Sequence, residues 1–462
     1  MNVPRLLAKP AVLLSFGLAI SAVAGSGFLA ILNASVSSAD VVALSGLNFL
    51  LATISTGVMA GLEQEMTRAV SRALAVGDSP GPAIRRQVRQ AAWLIGGTMV
   101  IVCALSPLIV DHWLGGRWYL FGELLIGLFG ALASFQVRGM LSGRQDFRLY
   151  SLTLIVEGLT RLAPSILILV LGLGSAWLFG LLFALGPVFA AVSGLIGPRG
   201  HAAAILGIGP ADNTSTSDIA TSDTPSPPTA ESDRRAASNL ALLTGATLAS
   251  QVLLNSVPLL VVARYSTSTN HDVLNTAAAI NSAVGLTRLG ILMLLPLQAP
   301  LLPRLTAAAA HGRLAEVRQR TLKLAGICAA VGLVAVAACA VIGPWALRTI
   351  MRAHAPLPGW FLAVFAAGTL FMMIGYILQS ALIALGRHKI VMIAWGAGAL
   401  ITIPVFTTGG SILATTAFAA VAGPLTAAAA MAVDAWWATS PRRAPSPPAT
   451  LPVEPVEADR VG

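Results

Sequence analysis

Apolar residues occur along the chain in long blocks, and short polar stretches separate the blocks. A helix needs about 20 such residues to cross a hydrocarbon core of about 30 Å. The blocks therefore predict twelve membrane-spanning helices, six on each side of a polar segment near the middle of the chain. The predicted spans cover residues 11–32, 41–62, 91–110, 118–137, 150–171, 175–197, 239–262, 273–302, 322–347, 360–385, 389–408 and 411–437.

The composition agrees with this pattern. Of the 462 residues, 56% are hydrophobic and 10% are charged, whereas a soluble domain has about 25% charged residues. The chain is therefore expected to be an all-α polytopic membrane protein, with the lipid bilayer as its surroundings. The first apolar block follows two basic residues without a clear cleavage site, which favours a first span over a signal peptide.

The distribution of Lys and Arg predicts the topology. The formal net charge is +10, and basic residues accumulate in cytoplasmic loops. With the N-terminus inside, nearly all Lys and Arg residues fall on the cytoplasmic side, which predicts a plasma-membrane protein with both termini in the cytoplasm. The exceptions are Arg117, Arg264, Arg348 and Arg352 on the outer side, and Arg161 and Arg288 within spans.

Two segments differ from the rest in composition. Residues 201–238 and 441–462 are rich in Ser, Thr, Pro and Ala and cannot bury a core, which predicts a disordered cytoplasmic linker and a disordered tail. They divide the chain into two predicted six-helix bundles, residues 1–200 and 239–440. An alternative is that the linker or the tail serves as a docking or regulatory segment.

The two bundles resemble copies of one another. In each half, a glutamine between the fourth and fifth spans is followed seven residues later by Gly-Arg. An even number of spans per half gives both copies the same orientation, so the bundles are expected to be related by a parallel pseudo-two-fold along the membrane normal. The matching residues are Gln136, Gly143 and Arg144 in the first half and Gln379, Gly386 and Arg387 in the second.

Charged residues inside the spans are the main candidates for function. Arg161 and Arg288 both fall near mid-membrane, where a charge costs at least about 2.5–3.5 kcal/mol and should face protein or water. Glu157 lies one turn before Arg161, so a self-contained ion pair is one interpretation; for Arg288, pairing with an acid such as Glu157 is another. The functional interpretation is one central cavity with both guanidinium groups, which suits an anionic head group because a guanidinium binds phosphate oxygens in pairs.

Uncharged polar residues also lie within the spans. Asn48, Gln251, Asn255, Asn281 and Gln298 could bind sugar hydroxyls, although such side chains more often tie membrane helices together. Acids are rare, and the first span has none, which disfavours a pathway for cationic drugs.

Catalytic chemistry has little support in the sequence. The outer loops are short and offer no paired acids. The six histidines and three cysteines show no metal-ligand spacing, and no glycine-rich phosphate loop is present. We therefore expect neither an enzyme nor a metal site, no cofactor, and no nucleic-acid partner.

Several segments carry a resemblance to a known family. They are residues 61–68 (GLEQEMTR), 75–78 (AVGD), 137–147 (VRGMLSGRQDF) and 157–162 (EGLTRL). Together with the two six-span halves, they resemble the multidrug/oligosaccharidyl-lipid/polysaccharide exporter superfamily, and within it the polysaccharide-type flippases. The resemblance implies a V-shaped pair of bundles, alternating access, and a lipid-linked oligosaccharide of the polyprenyl-diphosphate type as cargo, with Arg161 and Arg288 as the cavity cations and Glu157 orienting Arg161.

Two alternatives stay open at this point. A major-facilitator exporter of small molecules would share the plan of six plus six spans, although the basic turn typical of that family is absent after the second span. The other alternative is a non-transporting membrane scaffold that recruits glycan-synthesis enzymes through the linker and the tail.

Overall fold

The computed structural model describes residues 10–196, 230–288, 291, 305, 306, 308, 309, 311–407 and 410–440. Within these residues the chain forms fourteen α-helices and no strand. The first half contains α1 Pro10–Ser35, α2 Ser38–Ala75, α3 Gly81–Ala104, α4 Ser106–Trp113, α5 Trp118–Gly143, α6 Phe147–Val170 and α7 Ala176–Leu195. The second half contains α8 Ala230–Tyr265, α9 His271–Thr287, α10 Leu314–Val341, α11 Gly343–Thr349, α12 Gly359–Ala384, α13 His388–Thr407 and α14 Ile412–Ala438.

The hydropathy pattern predicted most of the spans correctly. Ten of the described helices are long and apolar enough to cross a membrane, and α3 with α4 forms an eleventh candidate that is bent by 66°. The remaining predicted span, 273–302, is described only in its first part, where α9 ends at Thr287. The rest of that span, including Gln298, lies outside the described residues.

The predicted linker and tail are only partly described. Helix α8 begins at Ala230, so residues 230–238 of the segment predicted as a linker belong to this helix. The rest of that segment, and all of the tail 441–462, lie outside the described residues.

The third span of each half breaks in the same way. Pro107 lies in the first turn of the short helix α4, and Pro344 lies in the first turn of the short helix α11. Proline has no N–H for the bond to the preceding turn, yet it is tolerated in a first helical turn. A long helix followed by a proline-started short helix is therefore repeated in both halves.

Helix packing also repeats between the halves. Helix α1 packs against α6 and helix α8 packs against α13, which are the equivalent pairs of first and fifth spans. The fourth and sixth spans likewise pair as α5 with α7 and as α12 with α14. The predicted arrangement of two related helical bundles is therefore confirmed.

The residue match that suggested the repeat is out of register. Gln145 and Gly386 both have left-handed backbones, with φ of 59° and 73°. In both turns the N–H of this residue donates to the carbonyl three residues back, and the next N–H donates to the carbonyl five residues back. Gln145 and Gly386 are thus equivalent, and the two Gly-Arg dipeptides differ by two positions. The segment from Gln136 to Gly143 forms the C-terminal end of α5.

Helices α2 and α8 form the main contact between the two bundles. Glycines on α2 allow α8 to approach closely: Gly46 faces Val262, Gly57 faces Leu248 and Gly61 faces Thr244. Small residues permit such packing of membrane helices, where dispersion contacts replace the hydrophobic effect. The two helices are therefore antiparallel partners over several turns.

Polar contacts join the halves at the end where α1 ends and α2 begins, hereafter the α1–α2 end. The Asn33 Nδ2 donates to the Ser282 Oγ at 3.0 Å and to the Met351 carbonyl at 2.8 Å. The Trp113 indole N–H donates to the Leu259 carbonyl at 3.1 Å. Since Asn33 and Ser282 are both buried, these bonds close the bundles on each other at this end.

We predict that Gly46→Ala lowers the thermal unfolding temperature of the purified protein. A Cβ at Gly46 would collide with the backbone carbonyl of Trp113, which cannot rotate away, and overpacking of this kind costs about 1–3 kcal/mol. Gly96→Ala is the matched control, because a Cβ there meets nothing, and it should raise stability by up to about 1 kcal/mol. Equal unfolding temperatures for the two variants would contradict the close packing of α2.

Candidate functional site: a cavity between the two bundles

A cavity of about 340 Å³ lies between the two halves. Its walls come from α1, α2, α6 and α7 of the first half and from α8 and α9 of the second. Arg161 and Arg288 both line it. The structure therefore brings these two predicted residues to one chamber, although they are far apart in sequence.

Arg161 is anchored on one side by a carboxylate and on the other by a ring. Its Nη2 donates to the Glu157 Oε1 at 2.6 Å, as the spacing of four residues predicted. Its Cζ lies 4.3 Å from the centre of the Phe183 ring, within the range of a cation–π contact. The predicted Glu157–Arg161 pair is therefore confirmed, and it leaves Arg161 at the cavity wall.

Glu157 has a second partner that the sequence analysis missed. The Arg138 Nη2 donates to the Glu157 Oε2 at 2.6 Å, and the Arg138 Nε donates to the Thr153 Oγ1 at 3.0 Å. The predicted span ends at residue 137, but Arg138 lies within α5, which continues to Gly143, and is only 7% exposed. The predicted end of this span is therefore wrong.

The cluster around Arg161 contains two guanidinium groups and two carboxylates. The carboxylate of Glu157 pairs with both guanidinium groups, those of Arg138 and Arg161. The Glu63 carboxylate interacts electrostatically with Arg138, and its Oε1 accepts a hydrogen bond from the Tyr150 hydroxyl at 2.8 Å, which ties α2 to α6. Arg161 therefore shares its direct carboxylate partner with Arg138.

Arg288 has neutral partners. Its Nη1 donates to the Asn255 Oδ1 at 2.8 Å, and its Nη2 donates to the Leu254 carbonyl. Its Cζ lies 5.4 Å from the centre of the Phe49 ring, which belongs to the other half. The hypothesis that Glu157 pairs with Arg288 is wrong: Glu157 is taken by two other arginines, and Arg288 forms no ion pair with a carboxylate of the described residues.

The other polar residues of the spans have different environments. Asn255 holds Arg288, as the helix-tying interpretation predicted. Asn48 and Asn281 instead line the cavity, together with Ser26 and Ser45. No Asp or Glu is among the described residues that line it, so the chamber combines apolar walls, a few neutral hydrogen-bonding groups and two guanidinium groups.

The fold is similar to that of solved transporters. An inward-facing multidrug-resistance MATE family transporter of the MOP superfamily has a TM-score of 0.65 at 14% sequence identity, covering 93% of this chain and 97% of that one. An outward-facing MATE family transporter has a TM-score of 0.61 at 17% identity, covering 95% and 98%. A mutant of the Vibrio cholerae MATE transporter VcmN has a TM-score of 0.58 at 14% identity, covering 95% and 97%.

These likenesses establish the fold as that of an all-α polytopic membrane protein of the MATE type, with two helical bundles. Those solved transporters belong to the superfamily that the sequence segments resemble, and the likeness shows the shared fold. Uncharacterised proteins of Mycobacterium bovis and Mycobacterium tuberculosis are 26% identical over 394 residues, which cover 80% of this chain and 79% of theirs. No protein-family model matches the chain.

We predict that Glu157→Gln strongly destabilises the protein. The change removes the ion-pair partner of Arg138, whose side chain is 8% exposed, and of Arg161, whose side chain is 18% exposed, and the loss of such a partner from a buried site costs about 3–5 kcal/mol. Unfolding of the purified protein in detergent measures the effect.

Glu65→Gln is the control for that variant. Glu65 pairs with Arg68 on the same helix, but the Arg68 side chain is 67% exposed, so the loss should be below about 1 kcal/mol. A Glu157→Gln protein as stable as the Glu65→Gln protein would show that the buried cluster contributes no stability.

Proposed function

We propose that this protein is a transporter that moves an anionic lipid-linked saccharide, of the polyprenyl-diphosphate type, across the plasma membrane by alternating access. The observation that carries the proposal is that Arg161 and Arg288 line one cavity without an acidic residue among its described lining residues. The transported molecule would bind with its diphosphate between the two guanidinium groups.

The charge of the chamber favours an anion. Arg288 contributes a full positive charge, because its partners Asn255 and Leu254 are neutral. Arg161 shares the charge of Glu157 with Arg138. Guanidinium groups bind phosphate oxygens through paired hydrogen bonds, and they are more weakly hydrated than ammonium groups, which suits a partly apolar site.

The size of the chamber favours binding of a head group. Ligand sites commonly have volumes of about 300–1,000 Å³, and the cavity of about 340 Å³ is at the lower end of this range. A diphosphate with its first sugar would fill such a space, while a polyprenyl tail would stay in the surrounding lipid.

The contacts between the halves are compatible with alternating access. The bonds of Asn33 close the α1–α2 end, and the cavity lies between the same two bundles. Solved structures of the same fold are described as inward-facing and as outward-facing. By analogy, we infer that transport requires the Asn33 contacts to break while the α2–α8 contact is retained.

We predict that Arg288→Gln abolishes export of the surface glycan while the amount of protein in the membrane stays normal. The substitution removes the charge that is not balanced by a carboxylate but keeps a hydrogen-bonding side chain. Arg348→Gln is the control, since Arg348 is exposed and its Nε donates to the carbonyl of Pro344 in its own helix. Quantification of cell-surface glycan together with immunoblots of membranes measures both effects. Normal glycan export by Arg288→Gln would refute the role of this residue.

The scaffold alternative needs a separate experiment. If the protein only recruits glycan-synthesis enzymes, replacing residues 201–229 by a Gly-Ser segment of equal length should stop glycan export. A transporter should retain most of its export activity, because the cavity residues all lie elsewhere. Loss of export in this variant, with Arg288→Gln still active, would favour the scaffold.

A further inference from the structure

Asn281 is a cavity-lining side chain whose two amide atoms are both buried without a partner among the described residues. It lies on α9, is 2% exposed and lines the chamber. Neither its Nδ2 nor its Oδ1 finds a hydrogen-bond partner among the described residues. Leaving a buried polar group unsatisfied costs about 1–3 kcal/mol. Asn281 therefore contributes less to the stability of the folded protein than a leucine of similar size would at the same position.

Three other asparagines near the contact between the halves are bonded. Asn255 accepts from Arg288, and Asn33 donates to Ser282 and to the Met351 carbonyl. Asn275, on the same helix as Asn281, accepts from the Ser38 hydroxyl of the other half. These side chains tie helices together, and Asn281 does not share that role.

Asn281 and Arg288 belong to the same face of one helix. Seven residues make about two helical turns, so their Cα atoms are separated by about 10 Å along the axis of α9. Asn281 is the nearer of the two to the α1–α2 end, because the neighbouring Ser282 bonds to Asn33 there. Asn48 of α2 also lines the chamber, with its side chain partly exposed.

We propose that Asn281 binds the saccharide part of the transported molecule, while Arg288 binds its phosphate. An amide both donates and accepts hydrogen bonds, and so do a sugar hydroxyl and an acetamido group. The molecule would then lie along α9 with its sugar toward the α1–α2 end and its lipid away from it. This inference rests on the proposed function and adds to it a residue that distinguishes sugar-bearing from sugar-free lipids.

Two soluble probes separate these contributions. Farnesyl diphosphate has the phosphates and a short lipid, and farnesyl diphosphate linked to N-acetylglucosamine adds one sugar. Binding of each probe to the full-length protein in lipid nanodiscs is measured by microscale thermophoresis. The wild type should bind the sugar-bearing probe more tightly, because the sugar satisfies the buried amide.

Asn281→Leu should reduce affinity for the sugar-bearing probe by about tenfold, the equivalent of one or two hydrogen bonds. Its affinity for farnesyl diphosphate should stay at the wild-type value. Asn281→Ala serves as a second, smaller variant. Thr276→Val is the matched control, since Thr276 lies on the same helix and its hydroxyl donates to the backbone carbonyl of Asp272. This variant should change the affinity for neither probe.

Each other outcome has a defined consequence. Equal weakening of both probes in Asn281→Leu and Asn281→Ala would assign Asn281 a packing role and overturn the inference. Unchanged binding of both probes would overturn it as well, and so would a wild type that binds both probes equally. In these cases the phosphate site of the proposed function would stand. A wild type that binds neither probe would instead refute the proposed function, and the assignment of Asn281 with it.

Discussion

A guanidinium group keeps its charge inside a membrane protein only where enough oxygen atoms surround it, and this constraint shapes the centre of the fold. Three arginines meet it in different ways. Arg138 and Arg161 share the two carboxylate oxygens of Glu157, whereas Arg288 uses an amide oxygen and a backbone carbonyl. A carboxylate would cancel the charge, but neutral acceptors solvate it and leave its field in the cavity. The neutral acceptors of Arg288 therefore leave its positive charge unpaired by a carboxylate of the described residues, which supports the proposal of an anionic cargo.

The bonds that surround these arginines also join the helices that carry them. The Arg138–Glu157 pair fastens α5 to α6, and the Tyr150–Glu63 bond fastens α6 to α2. The bonds of Arg288 fasten the end of α9 to α8 within the second half. Each arginine is thus held by its own bundle, and only the contact of Arg288 with the Phe49 ring crosses between bundles. A motion that separates the bundles would widen the chamber without breaking the ion pairs of Arg138 and Arg161 with Glu157.

The features that could be predicted from the sequence are those that depend on residues close together along the chain. Spans are local runs of apolar residues, and the Glu157–Arg161 pair is a local spacing of four, so both could be predicted. Arg138 fell outside the predicted span because the apolar block ends at residue 137, although the helix continues to Gly143. A signal was present: an arginine 19 residues before a glutamate, with a single tight turn between, can reach it across an antiparallel helix pair.

The partners of Arg288 show where sequence reasoning reaches its limit. Asn255 precedes it by 33 residues on another helix, and nothing in the local pattern distinguishes this asparagine from Asn281. Both are asparagines in apolar helices, and both are buried. Only the packing of α8 against α9 gives one of them a guanidinium and leaves the other facing the chamber without a partner. The same residue type therefore fastens the structure in one place and offers free hydrogen-bonding groups in another, and this difference is a property of the tertiary structure alone.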